Sequence, residues 1–119
     1  MPYQVYKIIH LTGIAMTLMS LGGLCVYAIA GGTKQALTWR KPVMITHGVG
    51  LLLALVGGFG LLARIGLAFP WGGWVFVKLA IWLFLGGATA LAYKKPGVLW
   101  PLIVALFAVA AFMANYKPF

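Results

Sequence analysis

Trp74-Val-Phe-Val-Lys78-Leu-Ala-Ile-Trp82-Leu-Phe-Leu-Gly86-Gly87-Ala-Thr89-Ala90-Leu-Ala-Tyr93 carries one charge, Lys78, and ends against Lys94 and Lys95. With a rise of about 1.5 Å per residue, about 20 such residues cross the hydrocarbon of a bilayer as one helix. An ammonium inside that span costs on the order of 2.5–3.5 kcal/mol, so Lys78 needs a partner or a wet cavity. Trp74, Lys78, Trp82 and Gly86 recur every fourth residue and share one helix face, with Thr89 close to it. An aromatic stripe around a positive charge suits a flat or anionic molecule. The competing reading has Lys78, about one turn from Trp74, snorkelling to the membrane surface.

Three further apolar runs flank this one, giving expected helices at Tyr6–Ala30, Val43–Ile65, Trp74–Tyr93 and Val98–Tyr116. The links between them are short: Gly31 to Pro42, Gly66 to Gly73 with Pro70, and Lys94-Lys95-Pro96-Gly97. Links of this length make neighbouring helices antiparallel, so residues 1–119 are expected to form a single membrane domain. Its fold class is all-α, an up-down bundle of four transmembrane helices. Pro42 and Pro101 are expected in or near first turns, where proline is tolerated. No signal peptide is expected, because the first apolar run is too long and no small-residue cleavage site follows it.

Composition narrows the chemistry. Of 119 residues, 64% are hydrophobic and only 8% charged, and the nine Lys and Arg face no Asp or Glu, for a net charge of +9. With no carboxylate, side-chain general bases of that type, proton relays and hard-metal ligands drop out. A uniformly basic chain favours anionic partners: phospholipid headgroups, another membrane subunit with acidic groups, or a cofactor carrying carboxylates. Nucleic acid is not among the expected partners. Cys25 stands alone, excluding an intrachain disulfide, and reads as a small apolar filler. Met16, Met19 and Met44 are too scattered for a copper site and read as core filler.

Loop cations set the expected orientation. Lys34, Arg40, Lys41, Lys94 and Lys95 lie on the first and third links, against Lys7, Arg64 and Lys117 on the other face, with Lys78 slightly inside it. The bias places the basic links in the cytoplasm and both termini outside. Gly50, Ala54 and Gly58 in the second helix, and Gly86 and Ala90 in the third, are spaced by four, which favours close helix contact.

The two histidines invite a haem reading, and depth tests it. Counted from the expected helix centres, His10 and His47 lie roughly 20–25 Å apart along the membrane normal, too far to share one iron. At the outer ends, however, His10 opens the first helix, Arg64 closes the second, Lys78 opens the third, and Met113 and Asn115 close the fourth. Gly13, Thr17 and Ser20 share the side of His10, making that face small, polar and inward. One imidazole, one thioether and two cations at one depth suit a b-type haem: His10 axial, Met113 a second metal ligand, Arg64 and Lys78 on the propionates, Trp74 and Trp82 beside the ring. The alternative makes Arg64 and Lys78 interfacial snorkelers and His10 a hydrogen-bonded helix-end residue. For His47 a bond to a carbonyl is the simpler reading.

The order Lys7-x-x-His10, Thr46-His47, Trp74-x-x-x-Lys78-Leu79 and the closing Ala114-Asn-Tyr-Lys117 resembles the small four-helix inner-membrane Sir-type family, labelled invasion gene expression up-regulators. That label describes a phenotype and implies no chemistry. Members of that family carry Pro-His and an acidic residue early in the second helix, whereas here Gly48 and Gly50 follow His47 and no acid exists. More distantly, the histidine of the first helix with the later Trp-x-x-x-Lys-Leu is similar to J-type membrane protoporphyrinogen oxidases and copper-resistance D membrane proteins. Both likenesses implicate His10 and Lys78, and the oxidase likeness implies a haem or porphyrin. Two functions are therefore expected to compete: a haem or porphyrin binder suited to electron transfer, and a non-enzymatic accessory or structural subunit of a larger membrane complex.

Overall fold

The computed structural model describes residues 3–64 and 73–116, except the side chain of Arg64. Four helices follow in chain order: α1 Tyr3–Ile29, α2 Arg40–Arg64, α3 Gly73–Lys94 and α4 Pro96–Tyr116. Each is long and apolar enough to cross a membrane, and the chain is a multi-pass all-α bundle. The starts of α1 and α3 and the ends of α2 and α4 form one end of the bundle, here the terminal face. The other end, the hairpin face, holds the α1–α2 link and Lys95.

Both described links stop one helix and start the next through the backbone. Gly31 takes φ +95°, a left-handed conformation open to glycine at little cost. Gly31 N–H then reaches Ala28 O at 3.0 Å and Gly32 N–H reaches Tyr27 O at 3.0 Å, satisfying carbonyls that α1 would otherwise leave bare. The Tyr27 hydroxyl donates to Thr33 O at 2.8 Å and folds the link over the helix end. Between α3 and α4 only Lys95 is non-helical. Its N–H bonds Leu91 O at 2.7 Å, and its carbonyl accepts Leu99 N–H at 3.0 Å, closing one helix and opening the other.

Helix ends differ from expectation in a systematic way. The first two helices both start three residues earlier: α1 already at Tyr3, and α2 at Arg40, with Arg40 and Lys41 helical rather than part of the link. Long basic side chains can leave a helix end for the headgroups while the backbone keeps its ladder. Pro42 does fall in the first turn of α2. Pro101 does not: α4 begins at Pro96, so Pro101 lies inside the helix, where it removes the N–H that would have bonded back toward Gly97.

Packing is uneven. The α1–α2 pair is the most intimate, while α2 and α4 make no close approach among the described residues. A Cβ on Gly13 would lie 2.8 Å from the Leu53 carbonyl carbon, and one on Gly50 would lie 2.8 Å from Gly13 O. Only glycine lets these backbones meet, so Gly50 and Ala54 act as the expected small-residue contacts. In α3 the buried small residues are Ala88 and Ala92, while Ala90 is exposed. The inward face of α1 is Gly13, Thr17, Ser20, Leu21, Leu24 and Cys25. Its hydroxyls are satisfied within the helix: Thr17 donates to Gly13 O and Ser20 to Thr17 O, each at 2.9 Å. Toward the hairpin face Leu21, Leu24, Cys25, Ala88, Ala92, Leu99 and Ile103 form a closed core. Toward the terminal face a small hydrophobic cluster of Leu62, Trp74 and Val75 is buried among the described residues, and a cavity opens in the bundle between the two.

Candidate functional site

The open part of the bundle is a cavity of about 400 Å³ lined by residues from all four helices. Its origin is the gap between α2 and α4, which nothing in the described chain fills. The walls are mainly aliphatic; the polar or aromatic exceptions are Tyr3, Lys7, His10 and Thr17 from α1, Phe59 from α2, Trp74, Lys78 and Trp82 from α3, and Phe107 and Asn115 from α4. A largely apolar cavity of this size with a few placed polar groups is the usual form of a small-molecule site.

His10 is held by two devices. Its Nδ1 lies 2.7 Å from Ala54 O. A carbonyl only accepts, so Nδ1–H is the donor and Nε2 keeps its lone pair. Metal-binding imidazoles are commonly oriented in this manner, the second ring nitrogen donating to a backbone carbonyl. The second device is the glycine pair of α2. A Cβ at Gly57 would lie 2.6 Å from His10 Cα, and one at Gly58 would lie 3.2 Å from its Cε1. Gly57 therefore admits the α1 backbone and Gly58 admits the ring.

His47 is placed differently. It is 3% exposed, its Nε2–H donates to Leu85 O at 3.0 Å, and it does not line the cavity. Trp82 has both roles: it lines the cavity, and its Nε1–H donates to Leu51 O at 3.0 Å. The two bonds cross between α2 and α3 in opposite directions, His47 from α2 and Trp82 from α3. They hold a helix pair that packs sparsely by backbone approach.

The two histidines are nearer in depth than the sequence count suggests. His10 lies level with Gly57 on α2, about ten residues from His47, or about 15 Å of rise. Helices that start earlier set both histidines about a turn deeper. The separation, and the different carbonyl bound by each ring, still keep them in different environments.

Of the residues expected at the outer site, the structure brings His10, Trp74, Lys78 and Trp82 to one cavity. Met113 is not on its lining. It packs against the Leu62, Trp74 and Val75 cluster instead. The Arg64 side chain lies outside the described residues. Asn115, expected at this level from the end of the fourth helix, is on the lining, Lys7 supplies a second cation there, and Ala54 O and Gly57 were not anticipated as site groups. A Gly-Gly pair in mid-helix, which costs about 1 kcal/mol per glycine against alanine, was the signal available for a close approach there. Among the described residues no three His or Cys side chains gather. His10 is thus a lone donor, unlike the closed protein cages of structural metal sites.

Comparison of the chain with family models, with curated proteins and with solved structures returns no match.

Proposed function

We propose that the cavity binds a b-type haem or a similar porphyrin, with His10 Nε2 as the nitrogen that would hold its iron. The observation that carries this reading is the Nδ1–H bond to Ala54 O, which leaves one oriented lone pair on the wall of an apolar cavity. Trp74 and Trp82 offer flat surfaces to the ring, and Lys78 with Lys7 offers cations to its carboxylates. The likeness to J-type protoporphyrinogen oxidases points the same way. Met113 receives no ligand role, because it packs in the apolar cluster at the terminal face. When bound, a haem would supply a one-electron carrier, which makes electron transfer the use that fits the site. The protein's part is to orient the donor, neutralise the carboxylates and exclude water. The reading places the chain in a bacterial inner membrane with both termini extracytoplasmic and anionic lipids around its basic links.

Titration of haemin, and separately of metal-free protoporphyrin, into the detergent-solubilised protein tests this. Ring binding beside Trp74 and Trp82 should quench tryptophan emission saturably, and Lys78→Met should weaken the binding. Linear, non-saturating quenching by both compounds would defeat the reading and leave the accessory-subunit alternative ahead.

A further inference from the structure

A second concavity lies at the hairpin face, remote from His10. It measures about 260 Å³ and is lined by Lys34, Arg40, Met44, Thr89, Ala90 and Tyr93. Arg40 opens α2 and Tyr93 is in the last turn of α3, so the site sits where the spans meet the headgroup layer. Its chemistry is divided. Lys34 and Arg40 supply charge at the rim, Met44 and Ala90 supply apolar surface, and Thr89 adds a hydroxyl. The Tyr93 hydroxyl oxygen is buried and has no hydrogen-bond partner among the described residues. Because Tyr93 lines the concavity, this phenol donor lies beside whatever the site holds, and leaving it unmet is costly.

The anion that would complete this set cannot come from a side chain of the protein. There is no Asp or Glu anywhere in the 119 residues. Lys41, Lys94 and Lys95 on the same face add to the positive field without lining the concavity. Basic pockets between transmembrane helices at headgroup level are suited to anionic lipid heads. We infer that this concavity binds the phosphate of an anionic phospholipid, with Lys34 and Arg40 pairing the phosphate and the Tyr93 hydroxyl donating to it. The apolar part of the lining, Met44 and Ala90, lies along the lipid's glycerol and first methylenes. This inference does not rest on the haem reading, since the two sites share no lining residue.

Thermal unfolding of the full chain in non-ionic detergent, titrated with phosphatidylglycerol, phosphatidylcholine or inorganic phosphate, tests it. Phosphatidylglycerol should raise the midpoint saturably, while phosphatidylcholine and inorganic phosphate at equal phosphate concentration should not. Arg40→Gln should weaken the apparent affinity about five-fold, and Lys34→Gln with Arg40→Gln about thirty-fold. Tyr93→Phe should also weaken it, while Lys95→Gln, a cation of the same face off the lining, should lose less than Arg40→Gln. Equal stabilisation by phosphatidylcholine would overturn the inference. So would unchanged phosphatidylglycerol binding in the Arg40 and Tyr93 variants. A matching shift from inorganic phosphate would overturn the lipid assignment in favour of a free anion.

Discussion

Gly57→Ala should do more damage than any single methyl group would suggest. The new Cβ would stand 2.6 Å from His10 Cα and 2.7 Å from His10 Cβ, where carbon atoms settle at about 3.5–4.0 Å. The obstacle is the α1 backbone, so the helices must part by about 1 Å to restore ordinary contact. The His10 Nδ1–Ala54 O bond spans 2.7 Å, and an added 1 Å or so takes it beyond the range of about 2.7–3.2 Å for such bonds. Overpacking costs about 1–3 kcal/mol, and an interhelical hydrogen bond in a membrane averages about 0.6 kcal/mol. Against these stands the helix-propensity gain of alanine over glycine, about 1 kcal/mol. The net expectation is a loss of about 0.6–2.6 kcal/mol, with His10 no longer oriented. Gly48→Ala is the control, because nothing lies within 4 Å of a Cβ there. Unfolding by SDS in mixed micelles should show Gly57→Ala failing at a lower SDS fraction than the parent and Gly48→Ala matching or exceeding it. Coincident transitions for the two alanine variants would refute the close approach, and with it the account of how His10 is held.

Lys78→Met should weaken binding of a carboxylate-bearing porphyrin in the haemin titration, while Lys78→Arg should retain part of it. Undiminished binding together with a higher midpoint in the Met variant would identify Lys78 as a snorkeler. Trp82→Phe keeps the ring beside the cavity but removes the donor to Leu51 O, so it should cost about 0.6–1.7 kcal/mol in the SDS assay with porphyrin binding retained. For topology, Thr33→Cys and Gln4→Cys in a Cys25→Ala background should differ in labelling of intact cells by an impermeant thiol reagent. Gln4→Cys should react and Thr33→Cys should not, and the opposite pattern would invert the orientation.

The fold was legible because hydrophobic run length and link length suffice for a four-helix up-down bundle, and the observed helices fall within three residues of the expected ends. What sequence could not supply was rotation about each helix axis. Counting residues put Met113 at the depth of His10, yet its side chain joins the Trp74 cluster rather than the cavity. Likewise Gly58 was anticipated as the contact glycine, whereas Gly57, about 100° away on the helix, meets the α1 backbone. Depth follows from rise per residue, but azimuth follows from how a particular pair of helices crosses. Lys7 on the cavity wall was hidden for the same reason, whereas Asn115, expected at that level, does line it. The stripe of Trp74, Lys78 and Trp82 was readable in advance, because one helix carries all three at a spacing that fixes their common face.

The absorption spectrum of the haem-loaded protein beside its His10→Ala and His47→Ala variants tests the central claim most directly. The parent should show a Soret band with resolved α and β bands. His10→Ala should lose or strongly shift that spectrum, and His47→Ala, whose ring is committed to Leu85 O and does not line the cavity, should keep it. An unchanged spectrum and haem content in a folded His10→Ala protein would contradict the account, as would loss of the bands in both variants with folding preserved.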